Sequence, residues 1–222
     1  MTDIKKHKRV NDIFLAPLER PALQWLAAHM PAWVTPDVLT GIGLFGSVVI
    51  FVAYCLTNLH PGFLWLASLG FVINWFGDSL DGTLARYRHI ERPIYGFFID
   101  HTLDAFSEVL VFLGLGFSPY VRFDLACLAL IGYLLASVLV YIRTCVKGEF
   151  KISYAGLGPT EARLIAIVAN TVVFIIGNPK IALFSLSLSV YDWVAIVVAA
   201  VLFLIFVLST IKQGRILAKA GQ

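Results

Sequence analysis

The chain has 222 residues, of which 59% are apolar and only 14% are charged, and its formal net charge is +3. Its mean hydropathy is +0.84, and the apolar residues are grouped in runs of roughly 20, the length of helix that crosses about 30 Å of hydrocarbon. A soluble domain would carry nearly twice this charged fraction, so the composition excludes a soluble fold and predicts an all-α integral membrane protein.

The amino-terminal segment, residues 1–34, is predicted to be a basic cytoplasmic tail followed by an interfacial amphipathic helix. Residues 11–30 are too short and too polar to span a bilayer, and Pro17 and Pro21 are expected to break the helix. Its apolar face would comprise Ile13, Phe14, Leu15, Leu18, Leu23, Trp25 and Leu26. The alternative is a flexible basic tail.

Residues 35–222 are predicted to form one domain of six transmembrane helices. Turn-forming residues, such as His60-Pro61-Gly62 and Ser118-Pro119, separate the apolar runs. The predicted spans lie near residues 38–58, 62–83, 94–117, 123–146, 162–178 and 190–212.

The distribution of positive charge predicts the orientation of these spans. With six spans, 15 of the 17 Lys and Arg residues lie on one side, and only Arg122 and Lys180 lie on the other. Positive charge is concentrated on the cytoplasmic side of membrane proteins. Both termini are therefore expected in the cytoplasm, and an odd number of spans would destroy this asymmetry.

Five of the six acids between residues 78 and 108 lie inside predicted spans: Asp78, Asp81, Asp100, Asp104 and Glu108. Ionised carboxylates in a membrane are costly unless they are paired or bind metal, so they are candidates for a functional site. Spacings of three and four residues place each set on one face of its helix. Two neighbouring helices can therefore present carboxylates to a shared space near the cytoplasmic ends of the spans.

Four close carboxylates would repel one another strongly unless cations lay between them. Oxygen ligands favour hard ions, so we expect Mg²⁺ or Mn²⁺ at Asp78, Asp81, Asp100 and Asp104. Two such ions suit phosphoryl transfer, and one carboxylate would deprotonate an attacking hydroxyl.

Small and basic residues accompany the acids. Gly82, Ala85 and Gly96 would let a nucleotide approach the backbone, and Arg86 is placed to reach a diphosphate. The structural alternative is that the acids solvate a loop and the small residues pack helices together.

The run from Asp78 to Arg86, followed by Gly96 to Asp104, resembles the DxxDGxxAR and GxxxDxxxD motif of the CDP-alcohol phosphotransferase family. All eight fixed residues of that motif are present. The resemblance implies that CMP leaves a CDP-linked donor while a phosphodiester forms with an alcohol. It further implies that Asp78, Asp81 and Asp100 bind metal, that Asp104 completes the site and acts as general base, and that Gly82, Ala85, Arg86 and Gly96 bind CDP. A homodimer is typical of the family.

Two further segments are predicted to bind substrate. Asp37 and Thr40 open the first span in a run similar to the family's proline–asparagine–threonine segment and would contact cytidine or ribose, although Thr35 or Asp37 can equally be a helix cap.

A cationic pocket beside the metal site would bind the acceptor's phosphate or the diphosphate, and its residues would be Arg143, Lys147, Glu161 and Arg163. The alternative is that Thr160 and Glu161 begin a helix and Arg163 pairs with Glu161. His101 is expected to face away from the aspartates.

The favoured function is a transferase that moves a phosphatidyl group from CDP-diacylglycerol to a small, possibly phosphorylated alcohol in the cytoplasmic part of a membrane. One alternative is a choline- or ethanolamine-type phosphotransferase with a CDP-alcohol donor and diacylglycerol as acceptor. A more distant one is a cation- or proton-coupled transporter, because intramembrane acids also relay cations. No sequence feature indicates nucleic-acid binding, and membrane lipids are expected partners.

Overall fold

The computed structural model describes residues 14–147, 158–183 and 186–219. In these residues it contains seven helices and one antiparallel hairpin. The helices are α1 (Ala16–His29), α2 (Pro36–Leu56), α3 (Phe63–Tyr87), α4 (Pro93–Phe117), α5 (Phe123–Lys147), α6 (Pro159–Ile176) and α7 (Val190–Lys219), and the strands are β1 (Lys180–Leu183) and β2 (Leu186–Ser189).

Five of the helices, α2, α3, α5, α6 and α7, are long and apolar enough to cross a membrane. The prediction of an integral membrane protein built from helices is therefore confirmed at this level. Helix α4 is as long as α3 and α5, at 25 residues, but it carries the three acids Asp100, Asp104 and Glu108. Because of these acids, α4 is not one of the five helices that are apolar enough to cross a membrane, although it is long enough.

The hairpin between α6 and α7 was not predicted. Gly177, with a φ of 81°, ends α6, and β1 pairs with β2 from Lys180–Ser189 to Leu183–Leu186. Asp192 in the first turn of α7 accepts hydrogen bonds from the backbone N–H groups of Ser189 (2.9 Å) and Arg122 (2.8 Å). This buried carboxylate joins the hairpin to the beginning of α5.

Helix α1 differs from the prediction in two respects. The prolines do not break it, because Pro17 lies at its beginning, where an N–H has no helical partner, and Pro21 is accommodated inside the helix. The expected single apolar face is also wrong, since Leu23 packs in the core whereas Phe14 and Trp25 point outward.

Close backbone contact joins α2 to α3. A Cβ at Gly77 would lie 2.2 Å from the backbone nitrogen of Gly43, and one at Gly46 would lie 2.5 Å from that of Asn74. Only glycine permits this approach. Asn74 then donates hydrogen bonds to the carbonyl oxygen of Gly43 and to Ser47 Oγ, both at 3.0 Å, which fixes the two helices next to the aspartates.

Side-chain contacts define two ends of the bundle. At one end, Asn58 of the α2–α3 loop bonds the last carbonyl of α4, and Tyr120 bonds Asn178 and Ser189. At the other end, Arg88 donates to the carbonyls of Met30, Pro31 and Val34 and thereby joins the end of α3 to the segment between α1 and α2. The aspartate-bearing parts of α3 and α4 lie toward this second end.

Candidate active site

A cavity of about 500 Å³ lies at this second end of the bundle. Helices α1, α3, α4, α5, α6 and α7 all contribute to its lining. The lining includes the motif residues Asp78, Asp81, Gly82, Arg86, Asp100 and Asp104, together with His101 and Arg163. The two halves of the motif are thus brought together around one space.

A narrower gap of about 20 Å³ adjoins this cavity between α2, α3 and α4. The same four aspartates line it, together with Thr40, Asn74 and backbone-contacting Gly43. A volume of this size is close to that of a single water or ion. The carboxylates therefore border both a wide space and a space for small ligands.

The helical spacing explains why the aspartates converge. Asp78 and Asp81 lie three residues apart on α3, and Asp100 and Asp104 lie four residues apart on α4, so each pair occupies one face. Thr40 of α2 donates a hydrogen bond to Asp81 Oδ2 at 2.6 Å, and the backbone N–H of Gly82 donates to Asp81 Oδ1. These bonds orient the Asp81 carboxylate toward the gap.

Arg163 of α6 binds Asp78 rather than Glu161. Its Nη2 donates to Asp78 Oδ2 at 2.6 Å, and its Nε donates to Asn74 Oδ1 at 2.7 Å. Only 14% of the Arg163 side chain and 22% of the Asp78 side chain are exposed, so this is a largely desolvated ion pair. The expected alternative of an Arg163–Glu161 pair is therefore wrong, and α6 supplies a cation to the aspartates directly.

Glu161 has a different set of contacts. It is buried, and its two carboxylate oxygens accept the backbone N–H groups of Leu15 (2.9 Å) and Gly158 (3.0 Å). The interpretation of Glu161 as part of the beginning of a helix is therefore confirmed. Its bond to Leu15 additionally connects α6 to α1.

His101 lies in the site, and the prediction that it faces away is wrong. Its Nδ1 is 3.6 Å from Asp100 Oδ2 and 3.9 Å from Asp104 Oδ2. The ring stacks on Tyr141 of α5 with a centroid distance of 5.5 Å and contacts Phe97 edge-on at 4.2 Å. These two aromatic contacts turn the imidazole toward the carboxylates.

The donor set fits a hard divalent metal ion. Four carboxylates border the narrow gap, with Thr40 as a further oxygen donor, and ligand atoms of Asp100, His101 and Asp104 lie within 4.8 Å of one another. Oxygen-rich sites of this kind suit Mg²⁺ or Mn²⁺. Arg163 forms an ion pair with Asp78 and so brings one positive charge to this set of carboxylates.

The residues predicted to bind CDP are divided between the cavity lining and its surroundings. Gly82 and Arg86 line the cavity. A Cβ at Gly82 would lie 3.3 Å from the guanidinium of Arg86, and this guanidinium donates a hydrogen bond to Thr83 Oγ1 at 3.1 Å. Ala85 and Gly96 lie on the same helices outside that lining, and a Cβ at Gly96 would meet nothing within 4 Å.

Asp37 forms an ion pair with Arg92 across the beginnings of α2 and α4. This hydrogen bond raises the pKa of the Arg92 guanidinium above its usual value. The helix cap of α2 is Thr35, whose Oγ1 accepts the N–H of Val38 at 3.3 Å. Arg143 does not belong to the described cavity lining, and the Lys147 side chain lies outside the described part of the chain.

Several lining residues were not recognised in the sequence. Tyr133 and Ser137 of α5 and Glu19, Arg20 and Gln24 of α1 all border the cavity. A polar residue in an apolar run is a detectable signal for Ser137 and Tyr133, but the α1 residues lie in an ordinary polar helix face. Their placement depends on how α1 packs against α3.

Comparison of the sequence with known protein families identifies the family to which the chain belongs. The sequence model of the CDP-alcohol phosphatidyltransferase family matches residues 33–205. The chain belongs to this family. The match extends from the segment before α2 into α7 and therefore covers all the helices that carry the aspartates and Arg163.

Curated relatives come from two groups of enzymes. The chain is 39% identical over 89 residues to phosphatidylinositol phosphate synthase of Cutibacterium acnes, a stretch that covers 39% of this chain and 40% of the relative. It is 27% identical over 195 residues to cholinephosphotransferase 1 of Gallus gallus, which covers 82% of this chain and 57% of the relative. The human cholinephosphotransferase 1 is 33% identical over 107 residues, which covers 44% of this chain and 26% of the relative. The aligned stretches thus span between about a quarter and somewhat more than half of these relatives.

Proposed function

We propose that this chain is a membrane-embedded transferase that forms a phosphodiester between a CDP-linked donor and an alcohol, with release of CMP. The observation that supports this proposal best is the convergence of Asp78, Asp81, Asp100 and Asp104 on one cavity in a member of the CDP-alcohol phosphatidyltransferase family. A cavity of about 500 Å³ is large enough for a small alcohol beside a nucleotide diphosphate.

In this proposal Asp78, Asp81, Asp100 and Asp104 bind two Mg²⁺ or Mn²⁺ ions. Bound there, such ions would neutralise the diphosphate oxygens and hold the attacking and leaving oxygens in line. Asp104 deprotonates the acceptor hydroxyl. Its side chain is 44% exposed, compared with 22% for Asp78, which suits a group that meets a substrate in the wide cavity.

The donor's CDP group is proposed to bind along α3 and the beginnings of α2 and α4. Gly82 and Arg86 border the cavity and would lie against the diphosphate. The remaining proposed contacts to CDP are Asp37, Thr40, Ala85 and Gly96. Arg163 is proposed to bind the phosphate of the acceptor or of the donor while it pairs with Asp78, with contributions from Arg143 and Lys147, and Glu161 holds the beginning of the same helix.

The favoured donor is CDP-diacylglycerol with a small polar acceptor, because polar side chains from α1, α5 and α6 line the cavity beyond the aspartates. A second candidate, a CDP-alcohol donor with diacylglycerol as acceptor, is supported by the similarity to the Gallus gallus cholinephosphotransferase over 82% of this chain. The two reactions share the carboxylate chemistry and differ in which substrate carries the lipid.

Release of CMP by purified protein tests the proposed function. CMP should form from CDP-diacylglycerol when Mg²⁺ or Mn²⁺ and a suitable alcohol are both present, and chromatography of the nucleotides measures it. A panel of glycerol phosphate, inositol phosphate, inositol and serine identifies the acceptor. CDP-choline or CDP-ethanolamine with diacylglycerol tests the second candidate. If no CDP compound in either panel gives CMP, the proposal is wrong and a cation-coupled transporter becomes the better hypothesis.

We further propose that residues 35–222 form a six-span domain in which α4 crosses the membrane with its acids turned toward the bundle. Residues 1–34 would contribute the cytoplasmic tail and interfacial helix. Both termini and the active site would face the cytoplasm, and the similarity to the family makes a homodimer the expected assembly. The contacts support this arrangement, since Arg88, Arg92 and Arg163 lie at one end of the bundle and Arg122 at the other.

Cysteine labelling checks the orientation. A membrane-impermeant maleimide added to intact cells should modify His60→Cys and Lys180→Cys, which are exposed at the end of the bundle that carries few cations. Glu91→Cys, exposed in the α3–α4 loop, should react only after the cells are opened. The same chain without the added cysteine provides the background from Cys55, Cys127 and Cys145. Labelling of Glu91→Cys from outside would contradict the six-span arrangement.

A further inference from the structure

Helix α1 forms one wall of the active-site cavity, although it lies outside the family motif. Four of its residues, Glu19, Arg20, Leu23 and Gln24, line the cavity together with residues of α5. A wall built from a separate amphipathic helix must be held in place by specific contacts. The contacts at the two ends of α1 are of different kinds.

The carboxyl-terminal end of α1 is fixed by packing and by the α1–α2 segment. Leu23 and Ala27 are buried against Leu39, Leu80 and Leu84. Burial of such side chains is the main source of stability in a packed helix. This half of α1 is therefore part of the core.

The amino-terminal end of α1 has much less apolar burial. Phe14 is 84% exposed and Leu18 is 76% exposed. The contacts that join this end to the other helices are polar. Glu19 Oε1 accepts hydrogen bonds from Trp75 Nε1 of α3 at 2.7 Å and from Thr160 Oγ1 of α6 at 2.8 Å.

A second carboxylate makes the opposite connection. Glu161 of α6 accepts the backbone N–H of Leu15, immediately before α1, at 2.9 Å. Each helix thus supplies one carboxylate that binds a donor of the other. Hydrogen bonds to charged acceptors are shorter and stronger than those between neutral groups.

We propose that Glu19 and Glu161 form a reciprocal clamp between α1 and α6 that holds the wall of the cavity closed and thereby controls the access and retention of the acceptor. Both are positioning residues, since neither is among the four aspartates that carry the proposed chemistry. The clamp also fixes the beginning of α6, and Arg163 lies one turn further along this helix, bonded to Asp78. The consequence for the acceptor rests on the proposed function, whereas the clamp itself does not.

Accessibility of the cavity tests the clamp without any measurement of catalysis. Ser137→Cys places a thiol in the lining of the cavity on α5, and its alkylation by a polar maleimide is followed in purified protein, with the chain lacking this change as background. Glu19→Ala and Thr160→Val should each raise the alkylation rate about tenfold. Thr160→Val leaves α1 itself unchanged, and Thr160→Ser, which keeps the hydroxyl, should restore the slow rate. The control substitution Glu91→Gln, which alters an exposed carboxylate, should leave the alkylation rate unchanged.

In the double variant Glu19→Ala/Thr160→Val, the alkylation rate should rise less than the two single effects combined would predict. The reason is that either substitution alone already removes the hydrogen bond between Thr160 and Glu19. In the enzymatic assay, Glu19→Ala should raise the acceptor's KM at least about threefold and leave the donor's KM unchanged. Unchanged alkylation rates in Glu19→Ala and Thr160→Val would overturn the clamp even if the wild-type protein releases CMP. Faster alkylation in a protein that never releases CMP would support the clamp and overturn the proposed function instead.

Discussion

Replacement of Asp78 by Asn is expected to lower the rate of CMP release about 100-fold or more while the protein remains folded. Asn keeps an oxygen atom at the same position but removes a charge from the set of four carboxylates. It also keeps an acceptor for the Arg163 guanidinium, which donates to Asp78 Oδ2 at 2.6 Å. Asp78→Ala would leave this buried guanidinium without that acceptor and would confound folding with chemistry.

Steady-state CMP release and thermal unfolding of the purified variants check this expectation together. Asp124→Asn is the matched control, because it makes the same substitution in an exposed acid next to Arg122, at the other end of the bundle. Asp78→Asn should bind Mn²⁺ more weakly than the control, as measured by electron paramagnetic resonance of free Mn²⁺. Full activity of the wild-type protein in excess chelator would contradict the proposal that the aspartates act through metal ions.

The sequence was sufficient to predict a membrane protein built from long helices and the convergence of the aspartates, but not the hairpin between α6 and α7. The prediction used local patterns: apolar runs of helical length, turn residues between them and acids spaced by three and four residues. Such patterns determine secondary structure and therefore which side chains share a helix face. Asp78 and Asp104 lie within one stretch of 27 residues, so packing of two consecutive helices suffices to bring them together. The family followed from these same residues and is confirmed by the match over residues 33–205.

The position of His101 illustrates what such patterns miss. Its helical angle relative to Asp100 directs the Cα–Cβ bond away from the aspartate face, which was the basis of the wrong prediction. The imidazole nevertheless reaches the carboxylates because Tyr141 stacks on it from α5. Because Tyr141 lies on a different helix, the residues next to His101 in the sequence do not predict this contact.

Contacts between distant segments explain the other differences. Arg163 meets Asn74 and Asp78 only because α6 packs on α3, and Thr160 meets Glu19 across a separation of 141 positions. The hairpin likewise depends on the buried Asp192, which bonds groups of β2 and of the α4–α5 segment. Sequence patterns predict which residues are unusual in a membrane helix, but tertiary packing decides with which partner each one is paired.

Replacement of Asp104 by Asn should lower turnover by about two to four orders of magnitude and leave binding of the CDP donor largely intact. Asp104 borders both the narrow gap and the wide cavity, so one carboxylate oxygen can face a metal ion while the other meets the acceptor hydroxyl. Asn retains the oxygen toward the gap but cannot accept a proton. The expected result is therefore a loss in kcat with a nearly unchanged KM for the donor.

Binding of Mn²⁺ to the purified variants separates the base from the metal ligands. Asp104→Asn should retain most of the Mn²⁺ binding of the wild-type protein, in contrast to Asp78→Asn, because in this proposal Asp104 offers the metal site only one oxygen, which Asn keeps, and uses the other for the acceptor hydroxyl. If Asp104→Asn abolished Mn²⁺ binding as fully as Asp78→Asn, Asp104 would be a metal ligand first and the base would have to be another residue. The next candidates are then His101, whose Nδ1 is 3.9 Å from Asp104 Oδ2, and Glu108, one turn further along α4. A selective loss of kcat in His101→Ala or Glu108→Gln, with Mn²⁺ binding preserved, would identify which of them takes the proton.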